Sequence, residues 1–200
     1  YISGDTYVGG ITGFSTYTNI SDCYNRSVIK GEKAGGIVGT SDGNTAIKNC
    51  GNYGSISGNR YLGGIAGLSY VEISNCYNRG DVKALYTADS YTGGIVGNCY
   101  GKVTDCFNTG YISGTESSSC IGGIAGHVST NNIVQRSYNA GYIYGSKGYA
   151  HLQRFYAPQQ IEICLNNGER QNISVPYAGN GFEEQITHFC ECVLKGLKES

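Results

Sequence analysis

The chain has 200 residues and a formal net charge of −1, so it lacks the excess of basic residues that nucleic-acid binding requires. Glycine accounts for 32 residues without a collagen triplet, and only two prolines occur, so we expect the glycines at turns and close backbone contacts. No apolar run is long enough to cross a bilayer, and the chain starts at Tyr1 without the charged and apolar regions of a signal peptide. These features predict no nucleic-acid partner and no membrane span in this chain.

A five-fold motif, Gly-Gly-Ile-x-Gly, recurs every 26 to 30 residues. Its paired glycines are Gly9 and Gly10, Gly35 and Gly36, Gly63 and Gly64, Gly93 and Gly94, and Gly122 and Gly123. Internal repetition with this period is typical of stacked structural units. Residues 1–4 repeat the sequence of residues 111–114, so we expect the amino end to cut through a longer array.

A second set of residues follows each double glycine by 13 to 15 positions. A cysteine stands there in four copies and a serine in the fifth, namely Cys23, Cys50, Cys76, Cys106 and Ser137. Two places later every copy has an asparagine: Asn25, Asn52, Asn78, Asn108 or Asn139. An aliphatic residue then follows in each copy: Ile29, Ile56, Val82, Ile112 or Ile143. We interpret these residues and the paired glycines as the structural ladder of a coiled stack.

The asparagine and cysteine rows each allow a second interpretation. The asparagines could form a ligand-binding row, but repeat-phase residues usually serve stacking, which favours amides that bond the next copy or adopt a left-handed turn. The nine cysteines could form disulfides, but a shared repeat phase favours small buried thiols. Cys99 and Cys120, which lie outside the ladder, are the better candidates for a bridge.

The spacing predicts an all-β fold. Short β-prone pieces separated by Gly, Asn, Asp and Ser recur in each copy without a helical period. In the third copy we predict three strands, Leu62 to Leu68, Val71 to Tyr77 and Asp81 to Ala84, with turns near Ser69 and Gly80. About five such coils of about 28 residues form a β-solenoid, in which the Ile of the glycine motif points inward.

Aromatic residues near the predicted turns are the candidate contact residues. Tyr61, Tyr70, Tyr91 and Tyr100 vary between copies, and exposed tyrosines can stack on sugar rings or on partner side chains. The alternative is that they shield the edges of the coils. We therefore expect a host or cell-surface protein, or a glycan, as the partner.

The three linked landmarks, Gly-Gly-Ile-x-Gly, Cys-Tyr-Asn and Gly-x-Ile, resemble the GLUG-motif repeats of bacterial surface and secreted proteins. The resemblance covers residues 4–143, and we assign residues 1–143 to this unit. It implies an extracellular repeat module without catalytic residues. No zinc signature of the H-E-x-x-H type surrounds His127, His151 or His188, so we expect no catalytic, cofactor-binding or metal-binding residues.

Residues 144–200 have a different pattern, which predicts a small α+β segment. Alternating apolar residues predict strands at 160–165 and 171–175, joined by a hairpin turn at Asn166-Asn167-Gly168. An amphipathic helix is predicted from Asn180, where Glu183 completes a capping pattern. Its apolar face comprises Phe182, Ile186, Phe189, Cys190, Val193 and Leu197. His188 and Cys192 lie four residues apart on this helix, where solvated helix surface is favoured over a metal site.

This segment also resembles a known family. The stretches GSKGYAHLQRFYAP and YAGNGFEEQITHFCECVLKGLKES are similar to the carboxyl-terminal part of Gfo/Idh/MocA oxidoreductases. No G-x-G-x-x-G fingerprint and no E-K-P lysine motif occur, so the family's cofactor and catalytic residues have no counterparts here. Two functions therefore remain: a non-catalytic extracellular module for adhesion, binding or spacing, and a fragment of a nicotinamide-dependent sugar or inositol oxidoreductase.

Overall fold

A computed structural model describes residues 1–85, 90–114, 119–130, 132–139, 141–145, 148–152, 160–165 and 167–174. The chain divides into two compact units, residues 1–140 and residues 141–200. The first unit is a β-solenoid of five stacked parallel coils, so the predicted solenoid is confirmed. All of the secondary structure in the described ranges is β-strand.

Each coil passes through four parallel sheets. Sheet 1 comprises Ile2–Ser3, Tyr7–Gly9, Ile29–Gly35, Ile56–Gly63, Val82–Ala84, Ser90–Gly93, Ile112–Ser113 and Ser119–Gly122. Sheet 2 comprises Thr12–Thr16, Val38–Asp42, Ala66–Ser69, Val96–Cys99 and Ala125–Val128. Sheet 3 comprises Ile20–Ser21, Ala46–Lys48, Glu72–Ser74, Val103–Thr104 and Val134–Gln135. Sheet 4 comprises Tyr24–Asn25, Gly51–Asn52, Tyr77–Asn78, Phe107–Asn108 and Tyr138–Asn139.

The strands pair so that equivalent residues of successive copies lie side by side. Ile56, for example, pairs with Ile29 on one side and with Val82 on the other. The isoleucine of the glycine motif is completely buried in the three central copies, at Ile37, Ile65 and Ile95. Residues that repeat in the sequence therefore align in rows inside the solenoid, and these inward rows form the hydrophobic core.

The three strands that we predicted for each coil are shorter and more numerous in the structure. The predicted strand from Leu62 to Leu68 is broken by a bend at Gly64 and Ile65, which separates sheet 1 from sheet 2. The predicted strand from Val71 to Tyr77 is broken at Asn75, whose φ is +53°. The glycine motif therefore marks a corner of the coil and not the centre of a strand.

Gly64 shows why this corner requires a second glycine. A Cβ atom at Gly64 would overlap the side-chain amide carbon of Asn78 and the carbonyl oxygen of Gly94. The equivalent glycines, Gly10, Gly36, Gly94 and Gly123, each face the asparagine of their own coil in the same way. The glycine motif and the asparagine row, which are separate landmarks in the sequence, therefore form one contact inside the solenoid.

A row of left-handed turn residues lies one position before the cysteine row. Asp22, Asn49, Asn75, Asp105 and Arg136 have φ values between +47° and +56°. Four of the five are Asp or Asn, the residue types that tolerate this conformation best after glycine. The asparagine two places after the cysteine does not have a left-handed conformation. The residue directly before the cysteine supplies the left-handed turn instead.

The second unit contains a four-stranded antiparallel sheet, called sheet 5 here. Its strands are Gly141–Gly145, Gly148–Leu152, Gln160–Leu165 and Arg170–Ser174. The predicted hairpin is confirmed, because Gln160–Leu165 pairs with Arg170–Ser174 around a turn at Gly168 with φ of +91°. The predicted helix from Asn180 lies outside the described residues.

Candidate binding surface

The asparagine row is buried in the first four coils, and its amides form hydrogen bonds between all five coils. In the first four copies, the amide nitrogen donates to the amide oxygen of the next copy. The four distances, from Asn25 through Asn52, Asn78 and Asn108 to Asn139, are 2.8, 2.7, 2.7 and 2.6 Å. A row that is bonded in this way stabilises the stack and offers no open amide face to a ligand.

Each asparagine also fixes the turn that follows it. The amide nitrogen of Asn78 donates to the carbonyl oxygen of Gly80 at 2.7 Å, and its amide oxygen accepts from the Gly80 N–H at 3.2 Å. Asn52 and Asn108 make the same pair of bonds with Gly54 and Gly110. One side chain therefore holds both the local turn and the register between coils.

The cysteine row is a column of small inward groups. The thiols of Cys50, Cys76 and Cys106 donate to carbonyl oxygens two residues earlier, at 3.1 to 3.2 Å. Ser137 takes the fifth place and bonds in the same manner, with its hydroxyl 3.0 Å from the carbonyl oxygen of Gln135. The hydrogen bond with Cys106, together with burial, raises the pKa of Cys76 to about 12, so this thiol stays protonated near neutral pH.

The seven cysteines that the structure describes are all free thiols. Cys99 is buried and Cys120 is exposed, and they do not form the bridge for which they were the better candidates. Burial raises the pKa of Cys99. The small thiol column is therefore a packing feature of the described coils.

The four tyrosines predicted as surface contacts form two stacked pairs. The rings of Tyr61 and Tyr91 are 5.5 Å apart with an interplanar angle of 8°. Those of Tyr70 and Tyr100 are 4.8 Å apart at 16°. His127 extends the first pair, since its ring stacks on Tyr91 at 4.8 Å. We call these five residues the tyrosine strip.

Cationic side chains lie against the first pair of the tyrosine strip. The ammonium nitrogen of Lys33 is 4.9 Å from the ring centre of Tyr7 and 5.8 Å from that of Tyr61. The guanidinium of Arg60 lies 5.1 Å from the Tyr61 ring. These contacts hold the rings in fixed orientations on the surface, which lowers the entropy lost when a flat ligand binds.

The first pair lies on strands of sheet 1, and the second pair directly follows strands of sheet 2. Burial raises the pKa of Tyr70, and Tyr100, Asp42 and Tyr61 raise it further through their charges. Tyr70 and Tyr100 are exposed, whereas Tyr61 and Tyr91 are half-buried.

A second aromatic row, which is not among the predicted surface contacts, lies on sheet 4. Its members directly precede the asparagine in four of the five copies, namely Tyr24, Tyr77, Phe107 and Tyr138. Tyr77 stacks on Phe107 at 5.2 Å, and Phe107 stacks on Tyr138 at 5.5 Å. The sequence contains a signal for this row, because alternate residues of a strand face opposite sides. If the cysteine and the asparagine point inward, the residue between them points outward.

The structure describes the candidate metal and catalytic residues only in part. His127 contacts Asn98, with its Nδ1 atom 2.9 Å from the amide oxygen. His188 and Cys192 lie outside the described residues. Within the described ranges, no group of three or more His, Cys, Asp or Glu side chains has metal-binding geometry. In the same ranges, no helix has the length and apolar character to span a bilayer.

Comparisons with known proteins give one partial match. The chain is similar to trans-1,2-dihydrobenzene-1,2-diol dehydrogenase of Mus musculus, with 33% identity over 87 residues. The match covers 40% of this chain and 25% of the mouse protein, so the chain spans about a quarter of the length of the curated relative that it matches. This match supports the resemblance of residues 144–200 to an oxidoreductase. No family model matches the chain, and no solved structure matches it.

Proposed function

We propose that the chain is a non-catalytic extracellular repeat module that binds a glycan or a protein at a cell surface. The observation that carries the proposal is the tyrosine strip, in which stacked and partly exposed rings lie on successive coils. Tyrosines supply flat apolar faces and polar hydroxyl ends, and aromatic residues are enriched where proteins bind partners.

The architecture supports the same proposal. A stack of coils presents long rows of equivalent positions, and repeat proteins use such extended surfaces for contact with partners. The resemblance of residues 4–143 to GLUG-motif repeats supports an extracellular location and a role in adhesion or as a spacer. Since the interior rows keep the stack in register, surface residues can vary without changing the fold.

The proposal is tested by binding of the purified chain to a glycan array and to intact bacterial and host cells. Replacing Tyr61 and Tyr91 with Ala together should weaken binding about tenfold or more, because aromatic anchors carry much of the free energy of an interface. Tyr111→Ala is the matched control, since Tyr111 is 69% exposed and lies outside the tyrosine strip. Equal binding by the double variant and the control would contradict the proposal.

A second candidate function is a fragment of a nicotinamide-dependent oxidoreductase that acts on sugars, inositols or related diols. The partial match to the mouse dehydrogenase favours it. Its test is titration of the chain with NADH and NADPH, followed by cofactor fluorescence and by calorimetry. Saturable binding would support this candidate, and the absence of binding would remove it, because hydride transfer requires the bound cofactor.

A further inference from the structure

The second copy of the repeat breaks the pattern of sheet 4. Four copies place an aromatic residue directly before the asparagine, whereas the second copy has Gly51 there and carries Tyr53 two positions later. Gly51 pairs with Tyr24 of the first copy and with Tyr77 of the third. The row of outward rings therefore has a gap at the second coil.

Tyr77 lies across this gap. A Cβ atom at Gly51 would overlap the end of the Tyr77 ring, and Gly51 is buried although its position faces outward. The hydroxyls of Tyr53 and Tyr77 are 2.7 Å apart and form a hydrogen bond, and their rings meet edge to face at 5.7 Å. Burial and this hydrogen bond raise the pKa of Tyr77 to about 12, so the Tyr77 hydroxyl stays protonated near pH 7.

Two arginines flank these rings. The guanidinium of Arg26 lies 5.3 Å from the Tyr53 ring, and that of Arg79 lies 5.7 Å from Tyr53 and 5.5 Å from Tyr77. Arg26 and Arg79 are exposed. Among the described residues neither forms an ion pair, whereas Arg136 pairs with Asp105 at 2.6 Å. We call Arg26, Gly51, Tyr53, Tyr77 and Arg79 the arginine–tyrosine notch.

The notch combines two kinds of recognition. A guanidinium donates parallel hydrogen bonds to a carboxylate or a sulfate, and stacking on a tyrosine ring fixes its plane for that contact. The ring faces and the paired hydroxyls suit the apolar face and the hydroxyl groups of a sugar. Arg26 and Arg79 belong to the first and third coils, so two strand spacings, about 10 Å, separate them along the stack.

We propose that the arginine–tyrosine notch binds an acidic polysaccharide that runs along the solenoid axis. The two guanidinium groups pair with acidic groups on separate sugars, and Tyr53 and Tyr77 contact the sugar between them. Phe107 and Tyr138 continue the row of ring faces beyond Tyr77, one per coil. This regular spacing suits a ligand with repeating units better than a folded protein surface.

The inference rests on the proposed function only in that the ligand is a glycan, because the notch and the tyrosine strip lie on different sheets. Two sets of variants therefore separate them. If Tyr61→Ala with Tyr91→Ala removes glycan binding and the notch variants do not, the proposed function stands and this inference fails. If only the notch variants remove binding, the inference stands and the role of the tyrosine strip fails.

The experiment is calorimetric titration of the full chain with oligogalacturonate and with a neutral cello-oligosaccharide of the same number of sugars. We expect saturable binding of the acidic probe alone. Arg26→Gln and Arg79→Gln should each weaken it about tenfold, the effect of losing a hydrogen bond to a charged group. Gly51→Tyr restores the aromatic residue of the other copies and contacts only the far end of the Tyr77 side chain, so we expect the fold to be retained and binding to be weakened similarly.

The matched control is Lys102→Gln, which removes an exposed positive charge outside the notch and should leave the affinity unchanged. Circular dichroism melting verifies that each variant is folded. The inference is overturned if the wild-type chain does not bind oligogalacturonate, or if Lys102→Gln weakens binding as much as Arg79→Gln. Equal binding of poly-glutamate would also overturn it, since charge alone would then explain the contact.

Discussion

The two units of the chain are stabilised over different distances in sequence. In the solenoid, the asparagine amides join residues that are 26 to 31 positions apart, and every strand pair is parallel. In sheet 5, the strands are antiparallel, and the turn at Gly168 joins immediate neighbours. The solenoid therefore depends on hydrogen bonds between equivalent residues of neighbouring copies, whereas the hairpin depends on a local turn.

This difference determines how far the effect of a substitution spreads. An interior residue of the solenoid is part of a row, so its loss removes support from the coils on both sides. A turn residue of sheet 5 affects the two strands that it connects. Four substitutions or conditions test this comparison.

Ile65→Asp should have the largest effect. Ile65 is completely buried in the third coil, and a carboxyl group there would lack a partner, so we expect the free energy of unfolding to fall by several kcal/mol. Thermal and urea unfolding followed by circular dichroism measure the loss. Ile11→Asp is the control, because Ile11 holds the same place in the first coil and is 47% exposed. Equal losses of unfolding free energy in the two variants would show that the assignment of Ile65 to an inward row is wrong.

Asn78→Ala should follow, with a loss of about 2–3 kcal/mol. The change removes one hydrogen bond from each of the Asn52 and Asn108 amides, and it removes both side-chain bonds to the backbone of Gly80. Urea unfolding gives the free energy, and hydrogen exchange should show faster exchange in the second and fourth coils. Asn59→Ala, at an exposed site, should change neither measurement.

Gly168→Ala should destabilise the hairpin by about 1–2 kcal/mol, the cost of a side chain in the left-handed region. The φ of Gly168 is +91°, and the space around it is open, so strain and not a clash causes the effect. Hydrogen exchange should change only within residues 160–174. Gly43→Ala, at a φ of +85° in the solenoid, is the counterpart. Faster exchange of solenoid amides in Gly168→Ala would contradict the prediction that a turn residue of sheet 5 affects only the strands that it connects.

Ionisation of the Cys76 thiol should have the smallest effect, a loss of about 1 kcal/mol of stability at pH 10. The pKa of the Cys76 thiol is raised from 9.0 to about 12, so the unfolded chain loses this proton at lower pH than the folded chain does. The stabilisation is complete below pH 9 and is lost as the pH rises towards 12. Urea unfolding at pH 8 and pH 10 measures it. The Cys76→Ser variant, which copies Ser137, should show a smaller decrease.

The repeat rows could be predicted from sequence because their chemistry is periodic. The inward position of Ile65 follows from its motif, and the hairpin before Arg170 follows from alternation and the turn sequence. The division of each coil into short strands could not be predicted in the same way. Short apolar pieces carry no signal for a bend, and Ile65 lies at a corner although its sequence context is β-prone.

The candidate surfaces were only partly predictable. Tyr61 and Tyr91 lie at the same distance from the glycine motif of their copies. Pairing of the two motifs therefore places the two rings side by side, where they stack. The notch depends instead on an exception, since the glycine at position 51 allows Tyr77 to lie across the second coil. The direction of a side chain over a gap depends on packing in three dimensions, and the repeat period contains no information on it.

The asparagine column has a further consequence for how such a chain can change in length. All four amide bonds have the same direction, from the nitrogen of one copy to the oxygen of the next. The interior therefore has a polarity, with amide oxygens towards the first coil and amide nitrogens towards the fifth. A whole coil can be duplicated or deleted and the bonds re-form, because each copy offers the same donor and the same acceptor. A coil in reverse orientation would place amide oxygen against amide oxygen and nitrogen against nitrogen. New coils can therefore join the column in one orientation only.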